Sequence, residues 1–382
     1  MTMVRLSVDE LTIVILLADK AVLGTTDWEW IAHRIINRTE LDLQLIQIYG
    51  PRCTSEQSNI AGYSIGYNYG NHPFYFRICY HEAYWNMGVA VKFSAQSLAY
   101  YCSRYSELTG TQIEVFQILQ ILSADFQKTY LVRLSRIDFC ADFINEGLSV
   151  NELNMELADN HIHFEHSTGK RNTSKIAFYT DAGAVDTIYV GSKKANVTTF
   201  LRIYNKRKEQ IQQHGIHFDE AVNCNDWIRM ENSIRGAYAH DITQRLLMMN
   251  SRSELVSLIS ACMLNKYALV DENGADHKIT ALLRSAATEP TDYYYSDAKY
   301  QDFSLDESLG YLVEKSGLMP FLYKAKQFDP EALTLFTQYL AEKLEQYSPT
   351  WSVTHWLAVH GQYYQDHGIK NVFATRKEKE HG

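Results

Sequence analysis

Three stretches of this chain, Tyr130 to Phe143, Thr199 to Lys206 and Asp226 to Tyr238, alternate charged and apolar residues with a period of two, which suits a strand and not a helix. In the first, Arg136, Asp138, Cys140 and Asp142 fall on one face and Ile137, Phe139, Ala141 and Phe143 on the other. In the second, Arg202, Tyr204 and Lys206 share a face against Leu201, Ile203 and Asn205. In the third, Arg229, Glu231, Ser233 and Arg235 oppose Ile228, Met230 and Ile234, with Asn232 interrupting the apolar side. If the three are neighbours in one sheet, their charged faces merge into one site while their apolar faces pack on helices.

The rest of the chain fits around such a sheet. Strands are expected at Asp9–Leu17, Tyr63–Tyr69, Phe74–Tyr80, Gly88–Ser94 and Lys175–Thr180, and at Thr187–Ser192, which a basic turn carrying Lys193, Lys194 and Asn196 joins to Thr199–Lys206. Helices are expected at Thr25–Asn37, with a Thr cap, at Ala95–Ser106 and Thr111–Ala124, and after Ser149, where Ser-Val-Asn-Glu152 spells a capping box. Beyond Ala239 the text turns helical, at Asp241–Met249, Ser253–Val270, Leu305–Ser316, Pro330–Gln346 and Val353–Asp366. Tyr293, Tyr294 and Tyr295 read as a loop docked on the core in preference to a base-stacking run. The expectation is an α+β fold: a largely antiparallel sheet with flanking helices over residues 1–240, then a helical C-terminal region over 241–382.

No run of about 18 apolar residues is present and the N-terminus lacks a signal-peptide layout, so a soluble cytoplasmic protein with no membrane partner is expected. The cysteines are scattered singly, without zinc-ligand spacing. A net charge of −9 argues against a protein that coats nucleic acid, yet Lys170 to Gln210 holds nine Lys or Arg against three Asp or Glu. That local +6 leaves −15 for the remainder, a distribution suited to gripping DNA at one place and repelling it elsewhere.

Tyr204 stands between Arg202 and Lys206 on its strand. Cations favour the phenolate, lowering a pKa normally about 10, and hold a phosphate, which is the setting for a tyrosine to attack a phosphodiester. Asp138, Asp142 and Glu231 supply hard oxygen ligands for Mg²⁺ or Mn²⁺. On a regular strand the two aspartates stand roughly 14 Å apart, so one aspartate with Glu231 makes a tighter set than all three; a pairing of Arg136 with Asp138 is the structural alternative. Arg136, Lys193, Lys194, Arg207, Lys208 and Arg229 join Arg202 and Lys206 as candidate DNA contacts. His161-Ile162-His163 matches the His-hydrophobe-His metal pattern of another class of nicking enzymes, but its place beside a polar loop favours ordinary loop histidines.

The order RIDFCADF (136–143), TIYVGSKK (187–194), FLRIYNKRKE (200–209) and WIRMENSIR (227–235) resembles the trans-acting rolling-circle replication initiators, a family that includes related relaxases of integrative conjugative elements. The resemblance spans roughly residues 130 to 240 and is strongest where the family's tyrosine falls on Tyr204. It implies a metal-dependent nickase that cuts one strand at an origin, stays linked to the 5′ end and leaves a 3′ hydroxyl for polymerase. It further implies a homodimer acting on origin DNA, both duplex and extruded single strand, with a host helicase. The acidic positions of the family's motifs match Asp138, Asp142 and Glu231. A conjugative relaxase shares this chemistry, and a non-enzymatic DNA-binding regulator on the same scaffold is the reading from another class.

Overall fold

The computed structural model describes residues 3–17, 27–53, 56–57, 60, 62–126, 130–181, 183–192, 194, 197–287 and 305–349, with 353, 357, 364–365, 368–370 and 372–373 beyond them. Lys193, Asn196, the tyrosines at 293–295 and most of the expected last helix lie outside the described residues.

Twelve strands are described: β1 (Met3–Leu17), β2 (Glu56–Gln57), β3 (Ile65–Tyr69), β4 (Phe76–Tyr80), β5 (Val89–Phe93), β6 (Tyr130–Ile144), β7 (Ile162–Glu165), β8 (Ile176–Asp181), β9 (Ala184–Val190), β10 (Thr199–Asn205), β11 (Trp227–Arg235) and β12 (Ala268–Asp271). Among the described residues ten of them form one antiparallel sheet in the order β2-β3-β4-β5-β1-β6-β11-β10-β9-β8, and β7 pairs with β12 apart from it. The three alternating stretches are thus adjacent, as β6, β11 and β10, and their charged faces do merge. The register places Arg202 opposite Glu231 and Tyr204 opposite Arg229. Arg229 in turn lies opposite Asp142, and Arg235 opposite Arg136.

The helices are α1 (Trp28–Asp42), α2 (Leu45–Tyr49), α3 (Ala95–Thr109), α4 (Val115–Phe126), α5 (Val150–Ala158), α6 (Lys206–Gln213), α7 (Phe218–Asn223), α8 (Ala237–Met248), α9 (Arg252–Tyr267), α10 (Lys278–Ala286), α11 (Leu305–Gly310), α12 (Leu318–Phe328) and α13 (Ala332–Glu345). The apolar faces of the central strands, Ile137, Phe139, Ala141, Phe143, Ile203, Met230 and Ile234, are fully buried in one continuous core with α4, α5, α8 and α9. Each such side chain contributes about 1.5–3 kcal/mol on leaving water, which fixes the register: a one-residue slip would turn every charge inward. Ser149 caps α5, its Oγ accepting from the Glu152 amide at 3.4 Å. Gly88, with φ +68°, turns the chain into β5 where a Cβ would meet the Ile15 carbonyl oxygen at 2.4 Å, so no other residue fits there.

One departure bears on the site. The strand expected to run through Lys206 stops at Asn205, whose side chain caps α6 by accepting from the Lys208 amide at 2.9 Å. Lys206 is therefore the first residue of a helix. The chain divides into two compact units, Met1–Ser296 and Asp297–Gly382. α8, α9 and α10 pack on the sheet and belong to the first unit. In the second unit α11 runs into a π-helical turn, Tyr311–Lys315, and α12 meets α13 through Phe321 and Phe336, whose ring centres lie 5.7 Å apart.

Candidate active site

The merged charged face floors a cleft of 1070 Å³, walled by α3, the first turn of α9 and α6. Tyr204 lines it from β10 and is 5% exposed. The Arg202 guanidinium carbon lies 4.2 Å from the centre of its ring, and the Lys206 ammonium 5.6 Å. Lys206 thus reaches the phenol from the start of α6 and not along the strand face, held by an ion pair with Glu209.

The expected drop in the Tyr204 pKa is reversed. Burial pushes it far above its ordinary value, Arg229 pulls it down, and Glu231 and Glu209 push it up again, with Arg202 opposing them. Desolvation outweighs the cations because those cations are themselves partnered by carboxylates. Tyr204 is a neutral phenol in the free protein, and its nucleophilicity depends on a base.

The three expected metal ligands meet arginines. Asp138, 1% exposed, accepts two bonds from Arg136, at 2.9 and 2.5 Å. Asp142, also 1% exposed, accepts from Arg229 at 2.7 and 2.8 Å and from the Trp227 indole at 2.7 Å. Glu231 accepts from Arg202 at 2.5 Å. Of the three, Glu231 lines the cleft, whereas Asp138 and Asp142 lie behind it. Burial pushes the carboxyls of Asp138 and Glu231 above the ordinary range, against the pull of Arg136 and Arg202.

Two cleft carboxylates, Asp9 and Glu10 on β1, escaped the sequence reading. Consecutive strand residues point to opposite faces, but a bulge between Val8 and Glu10 inserts Asp9 as an extra residue, and both side chains line the cleft. Asp9 accepts from Arg229 at 2.6 Å and Glu10 from Arg136 at 2.6 Å. Alternation alone gives no warning of a bulge, though an Asp-Glu pair opening a strand is an available signal.

These carboxylates form a lattice with guanidinium groups. Among the described residues no group of three or more His, Cys, Asp or Glu side chains is placed to hold a metal. A divalent ion at Glu231 would have to displace Arg202, so the residues do not fit a preformed metal centre. His161 and His163 flank and begin the separate β7–β12 pair, and His163 lies 3.9 Å from Glu165.

The remaining expected DNA contacts are dispersed. Arg136 and Arg229 line the cleft but are bonded as above. Lys194 is exposed. Arg207 donates to the Cys224 carbonyl at 2.9 Å and Lys208 pairs with Asp181 at 2.5 Å and Asp186 at 3.2 Å. Both line a smaller cavity of 440 Å³ distinct from the Tyr204 cleft. Arg235, which carried no role in the sequence reading, lines the cleft, and its Nε and that of Arg202 are buried with no bonding partner among the described residues.

The cleft is lined by six carboxylates and six cations, with Tyr204 on its floor, and lies on a broad antiparallel sheet. Residues 132–284 match the family model of the replication initiation factors. The fold is similar to the solved structure of a rolling circle replication initiator protein from Geobacillus stearothermophilus, with 15% identity, a TM-score of 0.50 and coverage of 75% of this chain and 97% of that one. No curated protein matches the chain. Among the described residues no helix is long and apolar enough to cross a membrane.

Proposed function

We propose that the chain initiates rolling-circle replication by nicking one strand of origin DNA with Tyr204. The observation that carries this reading is the position of Tyr204 on the cleft floor with a guanidinium 4.2 Å from its ring centre. Within the family segment no other tyrosine lines that cleft among the described residues.

The Tyr204 oxygen attacks phosphorus, a tyrosyl ester to the 5′ side forms, and the bond to the 3′ oxygen breaks. The phenolic proton passes to a carboxylate. Glu231 and Glu209 are the two whose charge Tyr204 feels most, and both stand in the cleft. The leaving oxygen takes up a proton to become the 3′ hydroxyl that polymerase extends. Charge on the phosphate falls to the cleft-lining cations Arg202, Arg235 and Lys206.

Supercoiled plasmid bearing the element's own origin, incubated with the protein and Mg²⁺ or Mn²⁺, is expected to yield nicked circles. Folded protein that leaves the correct origin intact over a range of both ions would overturn the reading. Cleavage confined to a transfer origin would instead identify a conjugative relaxase.

A further inference from the structure

The nicking chemistry leaves unused the outer edge of the sheet on the face that carries Tyr204. Across this edge Tyr204 lies opposite Thr187 and Thr187 opposite Tyr179, while Arg202 lies opposite Tyr189. By alternation, Phe200, Tyr189 and Tyr179 share the face of Tyr204 on three successive strands. Phe200 lines the cleft, and its ring stacks on Tyr189 with centres 5.8 Å apart and planes at 22°. Tyr179, one strand further out, is 58% exposed.

Exposed lysines stand at the Phe200 end of this row: Lys175, whose carbonyl accepts from the Gly191 amide at 2.9 Å, and Lys194, between β9 and β10 in sequence. Aromatic faces that lead out of a phosphodiester cleft beside exposed lysines suit one occupant. A duplex keeps its base faces stacked inside, and an apolar protein surface would have to desolvate the cations. A single strand offers both unstacked bases and phosphates.

We propose that Phe200, Tyr189 and Tyr179 form a stacking track for the bases of the single strand that enters the Tyr204 cleft. The proposal rests on the nicking reading for the source of that strand, and on the aromatic row itself for the binding.

The test is fluorescence anisotropy at fixed salt with a labelled oligothymidylate of about 12 nucleotides, a length within the site sizes of such surfaces, beside an abasic oligomer of equal length and charge. The full chain is expected to prefer the oligothymidylate. Tyr179→Ala and Phe200→Leu should each cut that preference about 5- to 100-fold while leaving affinity for the abasic oligomer and the melting temperature unchanged. Tyr179→Ala alters an exposed side chain and Phe200→Leu keeps apolar volume, so both variants fold. Equal binding of the two oligomers by the unaltered chain, or an undiminished preference in both variants, would overturn the track. Covalent adduct formation by the unaltered chain, scored in parallel, separates the two claims. Adduct with undiminished preference in the variants sinks the track alone, and lost preference without any adduct sinks the nicking reading alone.

Discussion

The Arg202 guanidinium covers the Tyr204 ring at 4.2 Å and at the same time donates to Glu231 at 2.5 Å. One cation therefore holds both the nucleophile and a carboxylate beside it. A cation over a ring face contributes about 0.5–2 kcal/mol to keeping the ring in place. Removing a charged donor from a reacting phosphate costs about 10²–10³ in rate. Arg202→Ala should lower the single-turnover cleavage rate by that order, with Arg202→Lys in between because it keeps charge without the planar fork. A wild-type rate in Arg202→Ala would reduce Arg202 to a packing residue.

Arg229, in the cleft floor, pairs with Asp9 beside it and with Asp142 behind it. Deleting one member of a buried ion pair leaves an uncompensated charge, at a cost of about 3–5 kcal/mol. Arg229→Met should move the urea midpoint accordingly. The double variant Asp142→Leu with Arg229→Met should lose less than the sum of the two singles. Additive losses would show that the pair does not couple.

Asn205 ends β10 and caps α6, so its side chain sets where Lys206 begins relative to Tyr204. Asn205→Ala should cost about 1 kcal/mol of stability and Asn205→Asp far less, since either carbonyl-type oxygen can cap. Cleavage should fall in the alanine variant and recover in the aspartate variant. A cleavage rate indifferent to both would separate the cap from the chemistry.

His240, half-buried beside Arg133, has its pKa pushed down to about 4, first by burial and then by the neighbouring cation. A lowered folded-state pKa means that the folded chain holds the ring neutral. Its contribution is complete above the unfolded value of about 6.5 and is lost as pH falls toward 4. Solvent screening at a half-exposed ring reduces this to about 1 kcal/mol. Between pH 7 and pH 4.5, unfolding free energies should fall by that much more in the wild-type chain than in His240→Asn. Parallel curves would contradict the assignment.

Much of the site could be read from period-two alternation, because charged faces on β6, β10 and β11 had to point together once the apolar faces were buried. Arg136, Arg202, Glu231 and Arg229 were placed by that rule alone. Its failures have physical causes. Lys206 was put on a strand because an Asn cap and a continuing strand look alike where basic residues follow. Asp9 and Glu10 were missed because a bulge breaks the alternation used to find the others. The direction of the Tyr204 shift was misjudged because sequence shows which charges are near but not how deeply a phenol is buried. Helices near α8 and α9 are legible in the sequence, but α10 is not, nor is the packing of all three on the sheet, since their sheet partners lie more than 100 residues away, as with the Leu134 amide and Thr243 hydroxyl, 109 positions apart.

The central claim is that Tyr204 becomes joined to DNA. The most direct measurement is mass spectrometry of peptides from protein incubated with an origin-bearing single strand and Mg²⁺ or Mn²⁺, quenched in denaturant. A nucleotide-bearing peptide with the phosphate on Tyr204, lost in Tyr204→Phe while single-strand binding persists, is the predicted result. An adduct on another tyrosine, or one that survives Tyr204→Phe, would contradict it.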